Sequence, residues 1–309
     1  MHKILVYGDL VSDMVMRVDR LPVEANRVQN IHAIGIEPGG AGNSLIVAAR
    51  LGAHAIALGT IGEDNPGQQV FDALRDEGVD TNAIQRGVGS VNMTVLVMID
   101  AVGEHVFLVH RGQGQMLQIG DTERALISTA DAYLVPGYSL HEPRVGPVAI
   151  DALNIAQAAK VPVFSDLGPI VGEPSLREAA LAVNAASRMA VLTEDEALTF
   201  TGAADASSAA RWLQSHGARE VVLKRGSAGC LCFADGGAEP VSVDGIAVDA
   251  RDTSGAGDAF VAGFIVEWLK HHDLVRAARF ANAVGAAKVR KVGTGRQMPT
   301  RAEIEALLR

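Results

Sequence analysis

From about residue 40 onward the apolar residues of this 309-residue chain switch repeatedly between short β-branched runs and longer segments rich in Ala and Leu. A parallel sheet covered by helices reads this way, because its strands are buried on both faces while each crossover helix carries one apolar stripe. The pattern predicts strands at 55–61, 132–135, 161–165, 189–192 and 220–224. It predicts helices at 43–51, 147–160, 174–184, 194–201, 207–215, 257–270, 273–290 and 301–308. Gly52 can close the first of these helices, and Asn65-Pro66 reads as a cap followed by proline at the first helical position of another. Two regions break the rhythm. Residues 10–37 do not alternate, and 91–111 hold two β-rich runs flanking Asp100-Ala101-Val102-Gly103-Glu104, which is a hairpin pattern. We expect these stretches to form a small antiparallel sheet on a single α/β domain spanning 1–309, able to act as a discontinuous lid.

Charge narrows the partners. With 27 Lys and Arg against 36 Asp and Glu, the net charge of −9 argues against a nucleic-acid surface. No run approaches the ~18 uninterrupted apolar residues of a membrane span. Only four apolar residues follow Met1-His2-Lys3 before Gly8-Asp9, too few for a secretory leader. Cys230 and Cys232 are the only cysteines and fall on one face of an expected strand, where a mutual bridge is geometrically poor. The expected compartment is therefore the cytoplasm.

The chemistry concentrates in Asp252-Thr253-Ser254-Gly255-Ala256-Gly257-Asp258, which runs into a nearly uninterrupted apolar helix. A helix N-terminus offers unpaired N–H groups and partial positive charge, and small residues let an anion approach the backbone. Asp258 would repel a bound phosphate, a placement that becomes sensible if it accepts a proton from a hydroxyl attacking phosphorus. The plain alternative is a glycine turn with an aspartate favouring the helix dipole. The chain has no Gly-x-x-x-x-Gly-Lys-[Ser/Thr], and Gly255-Ala256-Gly257 is followed by Phe260 where a dinucleotide fingerprint needs a third glycine. Pro38-Gly39-Gly40-Ala41-Gly42-Asn43 is a second glycine run opening a helix, with Asn43 both donor and acceptor, as polyhydroxylated ligands require. Asp13, just beyond the first strand, can accept from two vicinal hydroxyls.

Taken together with Gly59-Thr60-Ile61-Gly62-Glu63-Asp64, these motifs make the chain resemble the ribokinase-like, or PfkB, carbohydrate kinases along nearly its whole length. The resemblance implies a three-layer α/β/α fold with a mostly parallel sheet and a small β lid. It implies an enzyme that moves the γ-phosphate of ATP to a sugar hydroxyl, with a primary alcohol as the expected acceptor, and with Mg²⁺ and in some members K⁺. By resemblance Asp258 is the base, and Gly255, Ala256 and Gly257 form the anion hole. Asp13, Gly39, Gly40 and Asn43 match sugar-binding positions. Lys224, Gly226, Gly229 and Asn282 match the nucleotide flank, and Asp252 lies near the ligands of a monovalent cation. The family's Asn-x-x-Glu appears here as Thr193-Glu194-Asp195-Glu196. Glu196 fits the glutamate associated with Mg²⁺ and phosphate, whereas Thr193 replaces the asparagine; a helix capping box explains the same pair.

The acceptor is less constrained. The lid stretches hold one aromatic residue, Phe107, which disfavours a nucleoside. Arg111 either meets the carboxylate of a sugar acid, such as a keto-deoxy gluconate, or is a solvated arginine at a strand end. A non-catalytic sugar-binding protein on the same fold is the rival from another class. Exposed lid edges would let two chains pair as a homodimer. Lys288, Arg290, Lys291 and Arg296 read as complements to a helix C-terminus.

Overall fold

The computed structural model describes residues 1–309 apart from 115, 169–171 and 238. Numbered along the chain, the strands are β1 Lys3–Tyr7, β2 Leu10–Val18, β3 Ile31–Gly40, β4 His54–Ile61, β5 Ile84–Arg86, β6 Thr94–Ile99, β7 His105–His110, β8 Ala132–Pro136, β9 Val163–Asp166, β10 Met189–Thr193, β11 Glu220–Lys224, β12 Cys230–Phe233 and β13 Val241–Val243. The helices are α1 Ala41–Arg50, α2 Asn65–Asp76, α3 Asp121–Ser128, α4 Gly146–Ala158, α5 Arg177–Ala186, α6 Glu194–Thr201, α7 Ala206–Ser215, α8 Ala256–His271, α9 Leu274–Val289 and α10 Arg301–Leu307.

A nine-stranded sheet runs in the order β13-β12-β11-β10-β9-β8-β1-β4-β5, parallel except where β12 meets its two neighbours. Its strands alternate between two cores. In β1, Ile4 and Val6 pack with Leu45, Phe260, Phe264 and Val284 on the α1, α8 and α9 side, while Leu5 and Tyr7 pack with Tyr133, Leu153, Phe200 and Leu213 on the opposite side. Side chains pointing both ways from one apolar run explain why the strands read as continuous hydrophobic segments. Cys230 and Cys232 are buried and unbridged, both in the first of these cores.

The smaller sheet has the order β3-β2-β6-β7. It differs from the expected antiparallel sheet in one pairing: β2 and β6 run parallel, Ser12 to Arg17 against Thr94 to Ile99. Asn92 pins it to the large sheet, donating to Leu10 O and Ser12 Oγ and accepting from Gly62 N–H. The cap of α2 is one residue earlier than predicted, since Asp64 Oδ1 accepts from Gly67 N–H at 3.1 Å. The elements α3, β5 and β13 carry too few periodic residues to have been predicted. Among the described residues no helix is long and apolar enough to cross a membrane.

Candidate active site

Ligands of open α/β sheets gather outside the carboxyl ends of the strands. Five adjacent parallel strands here deliver a polar side chain to that edge. Lys224 ends β11, Thr193 ends β10 with Glu196 just beyond it, Asp166 ends β9, Tyr138 follows β8, and Asp9 follows β1. Two helix N-termini converge above them. The first turn of α1 carries Asn43 and the first turn of α8 carries Asp258, and Asn43 Nδ2 donates to Asp258 Oδ2 at 2.9 Å. Both helix dipoles therefore present their positive ends to one place.

Gly255 caps α8 in the left-handed region at φ 70°, and a Cβ there would lie 2.5 Å from Met298 Cε. Only glycine satisfies both constraints. Ala256 N–H turns back to Thr253 O at 3.1 Å, whereas no acceptor among the described residues meets Gly255, Gly257 or Asp258 N–H. The free donors are thus a subset of the expected 255–257 turn plus the amide of Asp258 itself. Burial pushes the Asp258 carboxyl up to about 7, with Asp166 and Asp13 adding to the rise and the Asn43 hydrogen bond and Lys224 opposing it. A carboxyl with that value is half ionised near neutrality, where a general base is most effective.

Asp13 is buried, and its Oδ2 accepts from Thr294 Oγ1 at 2.7 Å. Burial raises its pKa to about 6 despite that bond. Its carboxylate occupies the space above Gly39, where a Cβ would lie 2.2 Å from Asp13 Cγ. Gly40 ends β3 and caps α1. The loop after α9 completes this side: Gly295 N–H donates to Asn43 Oδ1 at 2.9 Å, and Arg296 pairs with Glu37. Sequence reasoning missed Thr294 and Gly295, although the Gly293-Thr294-Gly295 run between two helices is a signal for a close approach.

On the other flank Lys224 Nζ donates to Asp166 Oδ2 at 2.9 Å, and Nζ lies 3.2 Å from where a Gly257 Cβ would be. Burial alone would lower the Lys224 pKa, but Asp166, then Glu196 and Asp258, outweigh it and hold the ammonium charged. Asp166 Oδ1 is buried without a partner among the described residues. Glu196 Oε2 accepts from Thr193 N–H at 2.7 Å while Thr193 Oγ1 accepts from Glu196 N–H, so the capping box is formed and its other carboxylate oxygen is uncommitted. Gly229 packs against the 243–245 backbone, Gly226 borders open space, and Asn282 Nδ2 donates to Val243 O and Asp244 O. These three line one corner beside β12 and β13.

Tyr138 was not singled out from the sequence. Its hydroxyl is buried and unpartnered, and burial with the nearby charges of Asp258, Asp9, Asp166 and Asp13 holds it protonated far above the usual phenol range. Arg111 reaches Glu142 at 3.3 Å but keeps a side chain 58% exposed, and Arg144 holds the same carboxylate at 3.0 Å. Glu142 is buried, and although burial alone would raise its pKa, the two arginines hold it low. Burial and then Glu142 raise Asp9 to about 7. Asp252 is buried under the turn that leads into α8.

Comparison with known proteins bears on the family of the chain. Residues 1–301 match the description "pfkB family carbohydrate kinase". The chain is 30% identical over 314 residues to the ATP-dependent ribose-1-phosphate kinase of Halopiger xanaduensis, covering 100% of this chain and 98% of the relative. It is 26% identical over 311 residues to the Bacillus subtilis ribokinase, covering both chains completely. Among solved structures, Arabidopsis thaliana ribokinase complexed with ribose and ATP superposes with a TM-score of 0.84 at 24% identity, over 100% of this chain and 99% of that one. The helix-capped carboxylate, the glycine turn before it and the match along the chain lead to one assignment: this protein belongs to the PfkB family of carbohydrate kinases.

Proposed function

We propose that the chain transfers the γ-phosphate of ATP to a hydroxyl, most naturally a primary one, of a small sugar, with Asp258 as general base. The observation that carries this reading is a buried carboxylate with a pKa raised to about 7 beside three unpartnered N–H groups at the start of α8. Asp13 and Asn43 would hold the acceptor's hydroxyls so that one lies against Asp258. The amides of residues 255, 257 and 258 and the Lys224 ammonium would stabilise charge on the transferring phosphoryl group. Gly226, Gly229 and Asn282 would border the nucleotide.

The donor set also fits Mg²⁺. Asp166 Oδ1 is an orphaned buried carboxylate oxygen and Glu196 has one free oxygen, hard ligands of the type this ion takes directly or through waters. When bound near Asp166 and Glu196, the ion would offset the negative charge of the phosphates. The smaller sheet would act as a lid that excludes water from the reaction.

ADP release measured over a panel of pentoses, hexoses, sugar acids, sugar 1-phosphates and nucleosides tests the proposal. No release above the ATPase background with any of them would leave the non-catalytic reading standing. A second prediction concerns pH. Because the base must be ionised, kcat/KM is expected to fall tenfold per unit as pH drops below about 7 and to level off above it. A flat profile down to pH 5 would remove Asp258 from that role.

An anionic acceptor is a second reading, favoured by the exposed guanidinium of Arg111 beside Arg144 and by the named substrate of the 30% relative. Arg111→Ala should then raise KM for an anionic sugar by about tenfold or more and leave a neutral sugar nearly unaffected. Equal effects on both classes would place Arg111 outside the specificity pocket. Finally, Val106, Phe107, Leu108 and Val109 of the edge strand β7 are all exposed, which supports a homodimer formed through the smaller sheet. Sedimentation at the monomer mass across working concentrations would exclude it.

A further inference from the structure

We propose that Lys288 supplies, from within the chain, the positive charge that a monovalent cation would supply beside the anion hole, so that this enzyme needs no potassium. Lys288 is fully buried in the last turn of α9. Its Nζ lies 3.3 Å from Asp252 O, 3.3 Å from Lys291 O and 3.8 Å from Asp252 Oδ2. Two carbonyl oxygens and a carboxylate around a buried ammonium, whose pKa burial lowers and Asp252 supports, are a cation site in all but the identity of the cation. An ammonium group resembles K⁺ in charge and size and takes the same oxygen ligands.

The position explains why a charge is needed there. The carboxyl end of α9 leaves carbonyl groups facing outward, and the chain entering the phosphate turn lies across it, with Arg251 and Asp252 N–H both donating to Val289 O at 2.6 and 3.1 Å. Asp252 then spends both carboxylate oxygens as a clamp. Oδ1 accepts from Ser254 N–H at 2.8 Å and Oδ2 from Gly293 N–H at 2.7 Å. One arm of that clamp leads within three residues to Gly257. The other leads to Thr294 and Gly295, which hold Asp13 and Asn43. Without a cation, the buried carboxylate would keep its two N–H bonds but have no countercharge beside the carbonyls that face it, an unfavourable arrangement.

A resident potassium ion does not fit these residues, because the oxygens that would bind it already hold Nζ. The stem of Lys288 arrives along the buried stripe of α9 formed by Ala277, Ala281 and Val284. Lys288 acts through the turn and loop and is therefore a positioning residue.

The test has one arm that depends on the kinase reading and two that do not. Wild-type protein is exchanged into tetramethylammonium chloride, and KCl is substituted at constant ionic strength. ADP release with whichever sugar is turned over should stay unchanged, the melting temperature should stay unchanged, and ²⁰⁵Tl⁺ NMR should show no specific site. Lys288→Ala opens the oxygen cage. That variant should melt about 5 °C lower in tetramethylammonium, recover in KCl or NH₄Cl, bind Tl⁺, and show at least about tenfold stimulation of turnover by K⁺. Lys288→Met removes the charge yet fills the space, so no salt should rescue it. A wild type that is stimulated by K⁺ or binds Tl⁺ overturns the proposal, and that measurement needs no variant to fold. A Lys288→Ala protein indifferent to K⁺ overturns it as well. If no sugar is phosphorylated, the sugar-kinase reading fails while the melting and Tl⁺ measurements still decide this one.

Discussion

Asp258→Asn is expected to lower kcat by about 10³-fold while making the protein more stable, because the same burial that would prepare this carboxylate as a base penalises its charge. The carboxyl titrates near 7 in the folded chain against ~3.9 when unfolded, a cost of up to about 4 kcal/mol once both states are ionised. The sign follows from proton binding. Between these two values the folded state holds more protons than the unfolded one, so this group's contribution falls as pH rises through the window and reaches its least favourable level above about 7. An asparagine carries no such cost and can still accept the hydrogen bond from Asn43 Nδ2. At pH 8 the variant should melt about 5 °C above wild type, and at pH 5 the gain should shrink to roughly a third. ATP-analogue binding should persist. A variant that keeps wild-type turnover, or that melts lower at pH 8, contradicts the assignment.

The features visible in the sequence are those set by local periodicity. Val221-Val222-Leu223 reads as a buried strand whatever surrounds it, and Thr193 with Glu196 reads as a capping box because both partners lie in one turn. Those two glycine runs mark the two helix starts that converge, since small residues before an apolar helix have few other uses. What was hidden depends on partners far away in the chain. The parallel pairing of β2 with β6 joins segments about 80 residues apart, and neither segment carries a mark of its direction. Asp166 and Tyr138 follow ordinary strand ends, and only the sheet order places them beside Lys224 and Asp9. Their common signal is position: each lies at the carboxyl end of a parallel strand, where a polar residue after a buried run merits attention.

Lys288 shows what a reading by residue type leaves out. Read by type, it complements a helix end, and it does donate to Lys291 O. Read by spacing, it follows Ala277, Ala281 and Val284 at intervals of four, three and four on the apolar stripe, which predicts a buried ammonium and hence a buried set of oxygens to receive it. The periodicity carried more information than the residue class.

Gly39→Ala tests the acceptor side as Asp258→Asn tests the proton transfer. The added methyl would lie 2.3 Å from both Asp13 carboxylate oxygens, so Asp13 must swing away and abandon Thr294 Oγ1. Losing one or two charge-assisted hydrogen bonds to sugar hydroxyls costs about 3 kcal/mol, or ~10²-fold in kcat/KM, carried mainly by KM. Asp13→Ala should cost about as much, because it removes the same carboxylate without the steric push. The decisive variant is the double substitution. If Gly39 matters only by making room for Asp13, then Gly39→Ala in the Asp13→Ala background should add almost nothing, since the methyl enters space already vacated. Additive losses would mean that Gly39 serves the site through its own backbone, and the pairing of this glycine with that carboxylate would have to be abandoned.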